Sequence, residues 1–269
     1  MRQRFWRLAR IALVAACGWI AGAGQAAAHI GPVMLGTTNV YYVFYGNWSG
    51  EATQTAVVTT FAQCVGGSPY YNINTTYYDT MGRHVSNSVH YGGSVVDAYS
   101  HGTSLTDSAV KAIVSGAITS GALPADAHGV YYVLATPDVN ETSGLCTAYC
   151  GWHNHATISG VDIKFAFVGD PDRCPSACSS GYSPSGDAGA DAMAGTIAKL
   201  LNETVTDPDL NGWYDSSGSE FADKCAWSFG TLYPTPNGSH ANVRLCNADF
   251  ILPENWVNVS PGYCALHYP

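Results

Sequence analysis

Residues 186–213 read GDAGADAMAGTIAKLLNETVTDPDLNGW. Met193, Ile197, Leu200, Leu201 and Val205 recur at three- and four-residue spacing. That period puts them on one stripe of a helix. Asp187 and Asp191 lie at its start, where the helix dipole favours negative charge, and Asp207-Pro208 ends it in a turn. The spacing therefore predicts one long helix over 188–206, with Lys199, Asn202, Glu203 and Thr206 on its polar face.

Working outward, strands and helices alternate. Residues 39–45 (NVYYVFY) and 129–136 (GVYYVLAT) are rich in Val, Tyr and Phe and read as buried strands. Residues 161–168 (VDIKFAFV) alternate and read as a third. Further strands are expected at 70–78, at 88–99 (broken by Gly92-Gly93), and near 242–246 and 248–252. Helices are expected at 51–64, with Ala56, Val57, Thr60 and Phe61 inward, and at 107–120 behind a Ser104 or Thr106 cap, with Val110, Ile113 and Ile118 inward. Residues 144–155 and 169–186 read as cysteine-bearing loops. The fold class that follows is α/β: a single domain with a mixed β-sheet flanked by helices and disulfide-stapled loops.

The first 28 residues read as a signal peptide. Arg2, Arg4, Arg7 and Arg10 precede an apolar run from Ile11 to Ala23, and Ala26-Ala27-Ala28 offers cleavage after Ala28. A membrane anchor is the weaker alternative, because the run is short and rich in Ala and Gly. A lipoprotein is a third, since Val14-Ala15-Ala16-Cys17 resembles a lipobox. The leader looks bacterial. Residues 29–269 would remain as one domain, secreted or periplasmic, with no later membrane span. Four arginines leave and no acid does, so the net charge falls from −9 to about −13 (−9 minus 4). Such a surface argues against nucleic acid and anionic membranes. Few charges and many Tyr, Gly, Ser, Thr and Asn suit a protein handling neutral polar material such as glycans.

Eight cysteines remain after the leader: Cys64, Cys146, Cys150, Cys174, Cys178, Cys225, Cys246 and Cys264. In an exported chain they imply up to four disulfides, whose pairing the sequence leaves open. Local pairs Cys146/Cys150 and Cys174/Cys178 are the first expectation, with a zinc site on the same residues the alternative. Six Asn-x-Ser/Thr sequons, at Asn47, Asn74, Asn140, Asn202, Asn237 and Asn258, read as chance matches in a bacterial host.

Two constellations could carry chemistry. His153-Asn154-His155 would put both imidazoles on one face if it lay on a strand, as some metal sites require; in a loop that logic weakens. The 187–223 region is acidic, with Glu203, Asp207, Asp209, Glu220 and Asp223 among its carboxylates. These could work as a glycosidase pair or a calcium site, or simply as a solvated face. Ser100-His101 offers a hydroxyl beside an imidazole, but adjacent residues seldom align as nucleophile and base. Neither a nucleophile elbow nor a phosphate-binding glycine loop is present.

Short ordered pieces carry a resemblance. They include His29 to Val33 (HIGPV), Val40 to Trp48 (VYYVFYGNW), Tyr99-Ser100-His101-Gly102, Tyr131 to Val139 (YYVLATPDV), Cys146 to His153 (CTAYCGWH), Cys174-Pro175-Ser176-Ala177-Cys178, Gly186 to Met193 and Glu220 to Cys225 (EFADKC). With them the chain resembles the phosphate-induced protein / EXORDIUM family of secreted plant cell-wall proteins. That family carries Ala-His-Glu-Leu-x-Glu on this helix, which implies a zincin-like cleft with a His/Glu metal site. Here the matching positions read Ala198-Lys199-Leu200-Leu201-Asn202-Glu203. Protonated Lys has no lone pair for a metal and Leu accepts no proton, so the metal site is degenerate and no catalytic residue is assigned. The expected function is an exported, non-catalytic protein that binds an extracellular ligand or cell-wall glycan through His153, Glu203, Asp223, Lys199 and His101, without a cofactor. The alternative is a hydrolase with a rearranged site at Glu203, Asp223, His153 and His155, with or without zinc or calcium.

Overall fold

The computed structural model describes residues 30–269, so the leader, Cys17 and the Ala28 cleavage site lie outside the described residues. Five strands form the central sheet: β1 (Thr38–Tyr45), β2 (Val89–Asp97), β3 (Gly129–Ala135), β4 (Gly151–Ile158) and β5 (Val161–Val168). Their order is β2-β1-β3-β5-β4. All neighbours are parallel except β4, which runs antiparallel to β5 at the edge. The sheet is therefore mixed, as the sequence indicates.

Three helices cover it: α1 (Ala52–Cys64), α2 (Asp107–Thr119) and α3 (Ala188–Thr206). β1 and β3 are apolar on both faces because both faces are covered. Val40, Tyr42, Phe44, Val130, Tyr132 and Leu134 pack with Met193, Ile197, Leu201 and Val205 on the face of α1 and α3. Tyr41, Val43, Tyr45, Tyr131 and Val133 pack with Val110, Ile113 and Val114 on the face of α2. Leu200 is 2% exposed, and burying such a side chain contributes ~2 kcal/mol. α3 begins where expected: Asp187 caps it by accepting the N–H of Ala190 at 2.9 Å. Thr106 caps α2 in the same way, accepting from Ala109.

Four expectations about strands and helices need correction. Residues 70–78 form a 3-10 turn, Tyr71–Thr76, in place of a strand. There Ser68 accepts the Tyr71 N–H, and the Thr75 and Thr76 hydroxyls bond back to the carbonyls of Asn72 and Ile73, an alternative to ladder pairing. The Gly92-Gly93 step only shifts the register of a continuous β2. Residues 151–155 belong to a strand, because Ser159 and Gly160 both take positive φ (52° and 79°) and close a two-residue hairpin onto β5. The inward face of α1 carries Gln54, Val58, Phe61 and Ala62, since the helix packs on α3 as well as on the sheet.

The disulfides join Cys64 to Cys246, Cys146 to Cys174, Cys150 to Cys178 and Cys225 to Cys264. The local pairing is thus overturned. Pro175–Cys178 is a single helical turn with Cys174 as its N-cap, so the sulfurs of Cys174 and Cys178 both face the neighbouring loop, where Cys146 and Cys150 repeat the same spacing. The last part of the chain adds two hairpins: β6 (Val243–Leu245) with β7 (Ala248–Phe250), and β8 (Asn255–Val257) with β9 (Tyr263–Ala265). No helix among the described residues is long and apolar enough to cross a membrane.

Candidate functional site: a buried charge cluster

Lys199 and Glu203 are one turn apart on α3, so their side chains share a face. The sequence suggests an exposed polar face, but the two are 4% and 2% exposed. The lid over them comes from residues 207–225, where a 3-10 turn spans Phe221–Cys225. The Lys199 ammonium donates to Glu203 Oε1. It also lies 2.9 Å from Asp223 Oδ1.

His153 reaches the same cluster from the antiparallel edge strand β4. The alternation that sends Trp152 into the α2 side turns His153 towards α3. Its Nε2 is 2.9 Å from Glu220 Oε1, and both residues are buried. One ligand atom from each of His153, Glu203 and Glu220 lies within 4.8 Å of the others. Asp207 ends α3 and accepts the Gly212 N–H. His153 Nδ1 and Asp207 Oδ2 have no hydrogen-bond partner among the described residues.

The electrostatics follow from four carboxyls facing two cationic side chains. Burial alone would lower the pKa of His153; the charge and hydrogen bond of Glu220 outweigh it and push it up to about 9. Burial would likewise lower Lys199, yet Asp223 and Glu203 hold it above the ordinary lysine range. Glu203 is raised by burial first, opposed by Lys199 and reinforced by Glu220 and Asp223. Asp207 rises to about 6, again by burial and then by repulsion from Glu220.

Of the residues singled out in the sequence, His153, Glu203, Asp223 and Lys199 therefore come together. His155 does not join them. It pairs at 3.0 Å with Asp162, in a half-exposed group with Asp209 and Lys164. His101 lies apart too, in the exposed loop after β2, its backbone N–H donating to the Tyr45 hydroxyl. Glu220 and Asp207 were visible only as members of an acidic stretch. The end of the helix at Asp207-Pro208 is legible, but nothing in the local spacing says that Glu220 would meet His153 or that Asp207 would face the same cluster. The sequons at Asn74 and Asn202 are buried against each other, with an amide contact of 2.5 Å, so neither offers an acceptor site in the folded protein.

As a metal centre the cluster has one nitrogen and two carboxylate donors, a zinc-compatible set. The Lys199 ammonium, bonded to Glu203, supplies the positive charge from within. A protonated lysine cannot ligate, and it repels a second cation. With Lys199 in place these residues do not fit a resident divalent metal.

The family described as "Phosphate-induced protein 1 conserved region" matches residues 27–242. Protein EXORDIUM-like 3 of Arabidopsis thaliana is 29% identical over 276 aligned residues, covering 88% of this chain and 81% of that protein. Protein EXORDIUM of the same plant is 27% identical over 273, covering 84% of each. Protein PHOSPHATE-INDUCED 1 of Nicotiana tabacum is 27% identical over 216, covering 69% of this chain and 66% of that protein. These are plant proteins, so the bacterial reading of the leader finds no support among them. No solved structure matches the chain. The matched span runs from before β1 to the start of β6 and includes every residue of the charge cluster, and on it the chain belongs to the phosphate-induced protein 1 family.

Proposed function

We propose that this chain is an exported, non-catalytic member of its family that binds an extracellular or cell-wall glycan. The observation that carries the non-catalytic part is the buried Lys199 pair with Glu203 and Asp223. It neutralises from inside the position a catalytic cation would take, and Lys199, Glu203, His153 and Glu220 are all buried. Four disulfides point to an oxidising, extracytoplasmic compartment. Export then proceeds by cleavage after Ala28, or by lipid attachment at Cys17; the mass of the mature chain separates the two. Binding of the purified protein to a panel of neutral wall polysaccharides tests the function, and retention by none of them would overturn it.

A second reading keeps the zincin-like implication. His153, Glu203 and Glu220 converge closely enough to hold a metal, and α3 lies beneath the antiparallel edge strand that delivers His153. This hydrolase would require Lys199 to leave Glu203 when metal binds. Stoichiometric zinc in protein purified without an affinity tag would favour it.

A further inference from the structure

An open cleft lies away from the charge cluster, between the two hairpins of the C-terminal part. Its volume is about 470 Å³, and Thr231, Asn242, Arg244, Glu254, Tyr263 and His267 are among the residues that line it. Clefts of this size and mixed lining are where proteins take up small ligands.

Three features make it a formed site. First, each wall has its own covalent anchor. Cys64–Cys246 holds the β6–β7 hairpin to the end of α1. Cys225–Cys264 holds the β8–β9 hairpin to the turn that carries Asp223. The chain end is also tied, by the Tyr268 N–H to the Pro69 carbonyl at 2.9 Å. Gly262, at φ +80°, lets the hairpin pass so close to Trp256 that a Cβ there would come within 2.3 Å of the indole. Walls fixed in this way bind without paying for their own ordering. Second, Tyr263 is 46% exposed, an aromatic surface left in solvent at the cleft. Third, the polar groups are of both kinds. Arg244, whose side chain is 60% exposed, has only a long 3.4 Å contact with Asp249, which leaves most of its five donors for a ligand. Glu254 accepts one hydroxyl, from Ser228, and retains acceptor capacity.

We infer that this cleft binds a short stretch of a neutral glycan, with a sugar ring stacked on Tyr263 and its hydroxyls bonded to Arg244 and Glu254. This rests on the glycan-binding reading above and assigns it a site. One cationic and one anionic group suit hydroxyls, which both donate and accept. An anionic polymer would meet a chain of net charge −9, and an apolar ligand would strand both charges.

The test is isothermal titration of the mature protein with cellohexaose, xylohexaose and mannohexaose, with polygalacturonate as the charged control. Wild type should bind at least one neutral oligosaccharide and not the polyanion. Tyr263→Ala and Arg244→Ala should each weaken binding at least tenfold, while Tyr263→Trp retains it. Unchanged thermal unfolding of Arg244→Ala, an exposed position, separates loss of binding from loss of fold. Wild-type binding that both alanine variants keep would overturn this site and leave the general reading standing. No binding by wild type, or preference for the polyanion, would overturn both.

Discussion

The ammonium of Lys199 lies 2.9 Å from the carboxylate of Asp223, so the central helix and a short irregular turn are joined by a buried charge. Lys199 also holds Glu203. Removing one partner of such a group leaves the others desolvated and unpaired, which costs about 3–5 kcal/mol. Lys199→Met keeps the length of the side chain and removes its charge. Urea denaturation at pH 7 should show it destabilised by that order, with less loss at pH 5, where Glu203 and Asp207 are more readily protonated. A loss below about 1 kcal/mol at pH 7 would show that the pair contributes little.

Lys199→Ala tests the same position differently. It frees Glu203 beside His153 and Glu220, whose ligand atoms lie within 4.8 Å of one another. Zinc should then raise the unfolding temperature of the variant by several degrees and leave the wild type unchanged. A hundredfold excess of metal over its Kd corresponds to about 2.7 kcal/mol of stabilisation. Equal zinc responses in the two proteins would contradict the idea that Lys199 excludes the metal.

Stability should fall as pH rises across the mildly acidic and neutral range. Asp170, Asp191 and Asp207 are each raised to about 6 by burial. An acid whose folded pKa is raised stabilises the fold below its unfolded value near 4, and that contribution is lost as pH climbs through about 6. His153, raised to about 9 net by Glu220 against the cost of burial, adds stability below pH 6.5 that is lost towards pH 9. The two have the same sign. The denaturation midpoint should therefore be higher at pH 5 than at pH 8.5, and His153→Gln should flatten the part of the decline above pH 6.5. A midpoint that rises with pH over this range would refute the assignment.

The disulfides should differ in weight. Cys64–Cys246 spans 182 residues, against 28 for Cys146–Cys174. Loop-closure entropy assigns about 5 kcal/mol to the first and about 3.5 kcal/mol to the second. Paired Cys→Ala variants compared in urea should reproduce that order. Peptide mapping of the native protein should recover the 146–174 and 150–178 cross-links; finding 146–150 instead would contradict the loop arrangement.

The central helix was legible because its signals are local: five apolar residues on one stripe, a capping Asp187 and a stop at Pro208. β1, β3 and β5 were legible for the same reason. What the sequence hid depends on distant partners. The face of Lys199 and Glu203 looked solvated because the Glu220–Asp223 lid arrives from later in the chain. The strand carrying His153 looked like a loop because its cysteines and glycine dominate a short window, whereas Ser159-Gly160 sets the hairpin. The cysteine pairing needed the two loops side by side. Of the C-terminal hairpins the first lies where strands were expected, near 242–246 and 248–252; the second has three residues per strand, too short for a periodic pattern to register.

The two cross-links between the cysteine-bearing loops, Cys146–Cys174 and Cys150–Cys178, have the same sequence span of 28 residues. One tie between two segments leaves them free to pivot about it; two parallel ties remove the pivot. The loops stand immediately before β4 and ahead of α3, so this pair of ties sets the angle at which the edge strand meets the long helix. Reducing either bond alone would convert a fixed joint into a hinge, and the first thing to lose alignment would be the contact of His153 with Glu220.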